Sequence, residues 1–166
     1  CGKYNNKEGI YFFDTKKEKF EIIYQPQLDG PILYDTWSIA AFDKPKTLYV
    51  QCGYHLKIFV NELFVNEISL KNVHPSKMAV NKDGVLACTG NSPYMAIVRD
   101  GKVSWTEDPN RHYLYGIDAD ADGSFIIRQR GGSGDRIIRY NPDFDRFNML
   151  FGLPGTHQHS EDITVL

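Results

Sequence analysis

The side chains best suited to chemistry cluster near the C-terminal end of the chain. His157 and His159 are separated by one residue, and Glu161 follows two positions later. Alternate residues of an extended segment point the same way, so the two imidazoles could reach one ligand. A metal centre needs three or four ligands converging in space, which this spacing does not supply. The sequence therefore predicts no metal site, and a ligand contact and a solvated loop remain as alternatives.

Arginines form a second candidate group. Arg128 and Arg130 stand before the glycine-rich segment 131–134, and a flexible loop beside guanidinium groups can grip a phosphate or a carboxylate. Arg111 and His112 adjoin each other in another polar stretch, where histidine can bind a ligand or shuttle a proton. The predicted ligand-binding residues are Arg111, His112, Arg128, Arg130, His157, His159 and Glu161.

The overall composition narrows the classes of protein. Hydrophobic residues make up 42% and charged residues 24% of the 166 residues, which is typical of a soluble globular protein. The net charge of −2 creates no field that would attract nucleic acid, so nucleic acid is not an expected partner. The longest apolar runs have four or five residues, whereas a bilayer span needs roughly 18. The sequence predicts no transmembrane segment and no cofactor.

Three cysteines are too few, and odd in number, for a disulfide framework. Cys1-Gly2 at the first position is also typical of a processed lipoprotein, although repeat sequence follows at once where a polar tether is expected. The compartment therefore stays open among soluble, secreted, periplasmic and, if Cys1 is a processed terminus, lipid-anchored.

A repeat must position these groups. Three segments share one pattern at a spacing of 39 residues, with register residues Ile39, Met78 and Ile117. In the second and third copies an Asp-Gly pair, at 83–84 and 122–123, separates the first apolar run from another. Asp-Gly between apolar runs is a strong hairpin signal, because glycine accepts positive φ at little cost.

A second hairpin completes each copy. Segments 9–23 and 136–150 match at an offset of 127 residues. Four short antiparallel strands in about 40–45 residues are the signature of a propeller blade. The prediction is an all-β fold, a β-propeller with about three to four blades of four strands, forming part of a larger ring. Within one segment, 1–166, the predicted boundaries are a partial blade 1–24, blades 37–70, 76–105 and 115–151, and the start of a further blade at 162–166.

The repeat resembles the NHL-type family of β-propellers. The residues that carry the resemblance are Gly116-Ile117-Asp118-Ala119-Asp120, Asp122-Gly123, Asp135-Arg136-Ile137 and Phe151-Gly152-Leu153-Pro154-Gly155. It extends over nearly the whole chain but is close only in the unit 113–155, and the blade 37–70 lacks the Asp-Gly turn. The motif implies an architecture rather than a function, since one fold hosts many functions.

Both ends of the sequence align with the interior of a blade. Cys1-Gly2 aligns with Cys52-Gly53, which closes a second strand, and Leu166 falls within a first strand. We expect an incomplete ring whose open ends pack against the remaining blades or another chain, because an exposed apolar sheet face needs a partner. The alternative is a four-bladed ring that the segment 163–166 closes.

The loops between and within blades gather on one face, so ligand contacts are expected there. The predicted inter-blade loops are 25–36, 71–76, 106–115 and 152–162, and the middle loops are 1–8, 53–55, 90–94 and 128–134. The preferred function is a binding module that presents these loops to a protein or small ligand. The alternatives are a structural part of a larger assembly and a metal-dependent hydrolase.

The hydrolase alternative follows from propellers that resemble gluconolactonases, which hold a metal with acidic and amide ligands at the channel ends of several blades. The corresponding positions are 37–38, 76–77, 115–116 and 161–162. Only the pair Glu161-Asp162 is acidic, so the sequence favours a binding protein over an enzyme.

Overall fold

A computed structural model describes residues 2–4, 7–24, 36–70, 75–131 and 134–153. All the regular elements in these ranges are β-strands, which confirms the all-β prediction. In this part of the chain no helix is long and apolar enough to cross a membrane. The strands are β1 (Gly2–Tyr4), β2 (Lys7–Asp14), β3 (Lys19–Tyr24), β4 (Thr36–Asp43), β5 (Lys46–Cys52), β6 (His55–Val60), β7 (Leu63–Ser69), β8 (Pro75–Val80), β9 (Leu86–Ser92), β10 (Tyr94–Arg99), β11 (Lys102–Glu107), β12 (Tyr113–Ala119), β13 (Phe125–Gly131), β14 (Gly134–Asn141) and β15 (Arg146–Leu153).

Consecutive strands pair antiparallel into meanders. Strands β1 to β3 form one sheet, and β4 to β7 form a four-stranded sheet. Strands β8 to β11 and β12 to β15 make two further meanders, joined where Leu114 of β12 pairs with Gly90 of β9. Short hairpins of this kind need only local turn chemistry, which Asp-Gly supplies at 83–84, 100–101 and 122–123.

In each four-stranded meander, the first two strands form an inner hairpin and the last two form an outer hairpin. The 39-residue repeat specifies the register within the inner hairpins. The turns at 81–85 and 120–124 are built alike: Asn81 N–H donates to Val85 O, and Asp120 N–H donates to Ser124 O, both at 2.9 Å. Gly84 and Gly123 have φ of 76° and 95°, which explains the Asp-Gly pairs. Each first strand also carries a bulge at the equivalent place, between residues 36 and 38, 75 and 77, and 114 and 117.

The 127-residue offset recurs in the outer hairpins. In β2–β3, Phe13 lies opposite Phe20 with ring centroids 5.1 Å apart. In β14–β15, Tyr140 lies opposite Phe147 at 4.8 Å, and both hairpins have a bulge at the matching position. The two hairpins are therefore equivalent units of the fold.

The alignment of Cys1-Gly2 with Cys52-Gly53 is wrong by three residues. Tyr4 pairs with Lys7 at the end of its hairpin, as Cys52 pairs with His55. Gly2 instead pairs with Gly9, further along the strand. Tyr4 therefore takes the place of Cys52, because strand β1 continues past the pair that was aligned.

Apolar side chains fill the spaces between successive sheets. Along strand β9 and the residue before it, Leu86 and Cys88 face the sheet of β4 to β7, while Val85 and Ala87 face the sheet of β12 to β15. All four are buried. On the N-terminal side, Ile10 packs against Val50, Cys52 and Phe59. Each fully buried aliphatic side chain stabilises the stack by about 1.5–3 kcal/mol.

The outward face of β2–β3 is different. Phe13 and Phe20 are each 49% exposed and Ile22 is 46% exposed. Their equivalents on β14–β15, Tyr140 and Phe147, pack against the sheet of β8 to β11. Within the described residues, the aromatic pair of this hairpin is thus covered in one copy and half exposed in the other, whereas Met149, the equivalent of Ile22, is 66% exposed.

Candidate functional site

The ends of three strands and one connecting loop line an open pocket of about 450 Å³. Its walls come from the end of β9, the connection from β11 to β12, the start of β12 and the end of β13. The lining residues are Asn91, Arg111, His112, Tyr113, Tyr115, Arg130 and Gly131. Loops held on rigid strands are the usual place for such a site.

The register of β12 and β13 places the two sides of the pocket. Tyr113 lies opposite Arg130, so both side chains project from the same face of the sheet. The bulge between Leu114 and Ile117 then re-aims Tyr115. The Tyr115 hydroxyl donates to Asn91 Oδ1 at 2.9 Å, which ties β12 to the end of β9.

Buried Asp108 holds the connecting loop. Its backbone N–H donates to Pro93 O at 2.9 Å, and Arg111 N–H donates to Asp108 O at 2.8 Å. Its carboxylate accepts hydrogen bonds from the His112 N–H and from Gln129 Nε2, both at 2.7 Å. These bonds fix Arg111 at a positive φ of 56° and aim its side chain towards the pocket.

The His112 ring is wedged between two elements. A Cβ added to Gly131 would lie 2.6 Å from His112 Cδ2 and 2.7 Å from Nε2, so only glycine accommodates the ring there. On the other side, Nδ1 lies 3.5 Å from Asp108 Oδ2 and is buried without a hydrogen-bond partner in the described structure. Packing rather than hydrogen bonding therefore holds the ring in the pocket wall.

The two arginines of the pocket differ in their surroundings. Arg111 Nε donates to Glu107 Oε1 at 2.8 Å, and its side chain is largely exposed. Hydrogen bonds with Tyr94 and Glu107 raise the pKa of the Arg111 guanidinium. Arg130 is half-buried, and no carboxylate of the described residues lies within ion-pair distance of it.

Arg128 does not line the pocket. Its Nε donates to Asp135 Oδ2 at 3.0 Å and its Nη2 donates to the same oxygen, with both side chains nearly buried. The structure thus brings Arg111, His112 and Arg130 together and commits Arg128 to an internal ion pair.

The other predicted ligand residues, His157, His159 and Glu161, lie outside the described residues, as does Cys1. Among the residues that the structure does describe, no group of three or more histidine, cysteine, aspartate or glutamate side chains could hold a metal ion.

Sequence reasoning did not single out Asn91, Tyr113, Tyr115 and Gly131. The available signal was their position, since they fall within the predicted loops 90–94, 106–115 and 128–134. Their convergence depends on the bulge in β12 and on the close approach at Gly131, neither of which residue type reveals.

No family model matches the chain, and no curated protein matches it. Several solved structures share its fold. A gluconolactonase from Xanthomonas campestris matches with a TM-score of 0.56 and 14% identity over 73% of this chain and 50% of that one. The WD40 β-propeller domain of Doa1 matches at 0.57 and 15% over 81% and 45%. A protein from Lactobacillus plantarum matches at 0.57 and 15% over 93% and 52%.

These matches confirm that the chain has a β-propeller fold, as its repeat predicts. The chain spans about half the length of the solved structures that it matches. Their functions differ, so the shared fold selects none of them.

Proposed function

We propose that this chain is a binding module that takes a small ligand, or a short segment of a protein, into the pocket between β9, β12 and β13. The observation that carries the proposal is the convergence of three strand ends and one loop on one concavity of about 450 Å³. A pocket of that size, with aromatic walls and a few convergent polar groups, is typical of ligand sites.

Preorganisation supports the proposal. The hydrogen bonds of Asp108 hold the loop, and the hydrogen bond from Tyr115 to Asn91 holds the opposite wall. A ligand would therefore meet side chains that are already in place, which lowers the entropy cost of binding.

Binding can be tested by recording amide NMR spectra of the chain during titration with a library of small ring-containing fragments. The expected shifts concentrate at Asn91, Tyr113 and Arg130. Tyr113→Ala should weaken the binding of a fragment that causes them. Tyr54→Ala is the matched control, because Tyr54 and Tyr113 are 49% and 48% exposed and Tyr54 does not line the pocket. Fragments that shift only residues remote from the pocket, or equal losses in both variants, would contradict the proposal.

We also propose the NHL-type character of the repeat and the blade boundaries given by the sequence, with support from the equivalent hairpins and turns. The hydrolase alternative rests on the fold, which a gluconolactonase shares. Lactone turnover that a chelator abolishes would establish that alternative instead.

A second candidate function, a structural part of a larger assembly, is favoured by the outward face of β2–β3. Phe13 and Phe20 are each 49% exposed, whereas their equivalents, Tyr140 and Phe147, pack against a neighbouring sheet. A face built in the same way is suited to the same kind of partner, a β-sheet with small and aliphatic side chains.

Sedimentation of the chain at increasing concentration tests this second role. Association that Phe13→Lys prevents would support it. Phe144→Lys is the matched control, because Phe144 lies 79% exposed in the turn between β14 and β15. If the chain stays monomeric and binds no dye specific for apolar surface, the outward face of β2–β3 is not an association surface, and the structural role is excluded.

A further inference from the structure

We infer that the ligand of the pocket is an organic anion, with a carboxylate or phosphate group bound at Arg130 beside an aromatic ring. This inference rests on the proposed function and names the chemical class that the same pocket would select. Its first support is the charge of the lining, which includes two guanidinium groups and, among the described residues, no carboxylate.

Two carboxylates of the loop lie near these guanidinium groups. Glu107 Oε1 accepts a hydrogen bond from Arg111 Nε at 2.8 Å and neutralises that guanidinium, whereas the carboxylate of Asp108 forms no ion pair with either arginine. Asp108 is only 1% exposed, and its oxygens accept hydrogen bonds from Gln129 and from the backbone of His112. The His112 ring stands between this carboxylate and the pocket, since it lines the pocket while its Nδ1 side faces Asp108. Among the described residues, Arg130 is therefore the guanidinium of the lining that no carboxylate pairs with.

Arg130 supplies the second support. Four arginines of the described residues form ion pairs: Arg99 with Asp143, Arg111 with Glu107, Arg128 with Asp135, and Arg139 with Asp120. Asp135 lies directly opposite Arg130 in the ladder, yet its carboxylate binds Arg128. Arg130 thus keeps its guanidinium donors for the pocket while half-buried, where an oxyanion would form charge-assisted hydrogen bonds with them.

The uncharged walls indicate the rest of the ligand. Asn91 Oδ1 already accepts a hydrogen bond from Tyr115, which leaves the Asn91 amide N–H groups to donate to a ligand oxygen. Tyr113, which lies opposite Arg130, and Tyr115 both offer aromatic surface to the pocket. A ring that stacks on tyrosine and carries an oxyanion therefore fits better than a bare inorganic ion.

The test uses four probes at constant ionic strength, with affinity measured by calorimetry: benzoate, phenyl phosphate, inorganic phosphate and the neutral benzamide. We expect benzoate or phenyl phosphate to bind at least about 10-fold more tightly than benzamide, because a charged hydrogen bond is lost in the neutral probe. The preference between benzoate and phenyl phosphate distinguishes a carboxylate ligand from a phosphate ester, and weaker binding of inorganic phosphate would support the role of the ring.

Arg130→Gln should weaken binding of the anionic probes by about 10-fold or more and leave benzamide binding unchanged. Arg146→Gln is the matched control, because Arg146 is exposed and, among the described residues, has no ion pair. Its affinities should equal those of the unmodified chain.

The outcomes separate this inference from the proposed function. Equal binding of benzamide and benzoate at the pocket would overturn the anion inference and leave the binding module intact. Tight anion binding that Arg130→Gln does not affect would overturn it as well. Absence of binding by all four probes, together with failure of the fragment titration at the pocket, would overturn both.

Discussion

Replacement of Gly131 by alanine tests how the pocket wall is built. The new Cβ would lie 2.6 Å from His112 Cδ2 and 2.7 Å from Nε2, whereas carbon atoms in contact are normally about 3.5–4.0 Å apart. The ring must therefore move by about 1 Å, and a movement into the pocket that it lines would relieve the overlap. Gly131→Ala is thus expected to shrink the pocket as well as strain the fold.

The free energy of unfolding gives the first measurement. Overpacking costs about 1–3 kcal/mol, and the lower entropy of an unfolded alanine offsets about 0.4–1 kcal/mol of that cost. The net loss in urea denaturation should therefore be roughly 1–2 kcal/mol. A second readout is the pair of His112 ring proton shifts, which should change because the ring is displaced from Asp108.

Gly152→Ala is the matched control. Gly152 also lies in a strand without positive φ, and a Cβ there would meet no atom within 4 Å. This variant should keep the stability and the His112 shifts of the unmodified chain, apart from the small gain expected for alanine. If Gly131→Ala matched it in both readouts, the wedged position of His112 would be wrong.

Three further results are expected. Asn81→Ala should lower the free energy of unfolding in urea by about 2–4 kcal/mol, because the buried Asn81 side chain makes three hydrogen bonds, one of them across the sheets to Gly123 O. Asn141→Ala is the comparison, and it should cost under about 1 kcal/mol because the Asn141 side chain accepts the exposed hydrogen bond from Asp143 N–H. Phe125→Ala should cost about 3–5 kcal/mol in the same assay, because Phe125 is fully buried between two sheets. Burial raises the pKa of the Cys88 thiol from 9.0 to about 12, so the thiol ionises at a lower pH in the unfolded chain than in the folded one. The free energy of unfolding should therefore fall as the pH rises between these two values. Urea denaturation at a series of pH values should show a shallower fall for Cys88→Ala.

The fold could be predicted because local chemistry and repeat spacing agree. Gly84 and Gly123 occupy positive φ in equivalent turns, where few other residues fit. The alternation of Leu86 and Cys88 with Val85 and Ala87 is the two-sided pattern of a buried strand between two sheets. The alignment of Cys1-Gly2 with Cys52-Gly53 was wrong because a matching Cys-Gly pair does not show how far a strand continues.

The site was only partly predictable, because sequence lists charged groups but not their partners. Arg128 and Arg130 look alike in sequence, yet Asp135 binds the first and leaves the second facing the pocket. Tyr115 lies in the bulge between Leu114 and Ile117, and the residue types at these positions do not predict that bulge. Arg111 could be selected as a loop residue, while its approach to Arg130 required the turn that Asp108 holds.

The two-sided strand β9 also limits how this chain can change in length. Leu86 and Cys88 serve one interface, and Val85 and Ala87 serve the other. Loss of one residue within the strand would turn each pair towards the wrong neighbour, because side chains alternate with a period of two. Duplication of a whole 39-residue copy would instead add a four-stranded unit together with its turns and bulge. Within strand β9, the loss of one residue is therefore expected to be tolerated less well than the gain of a complete repeat.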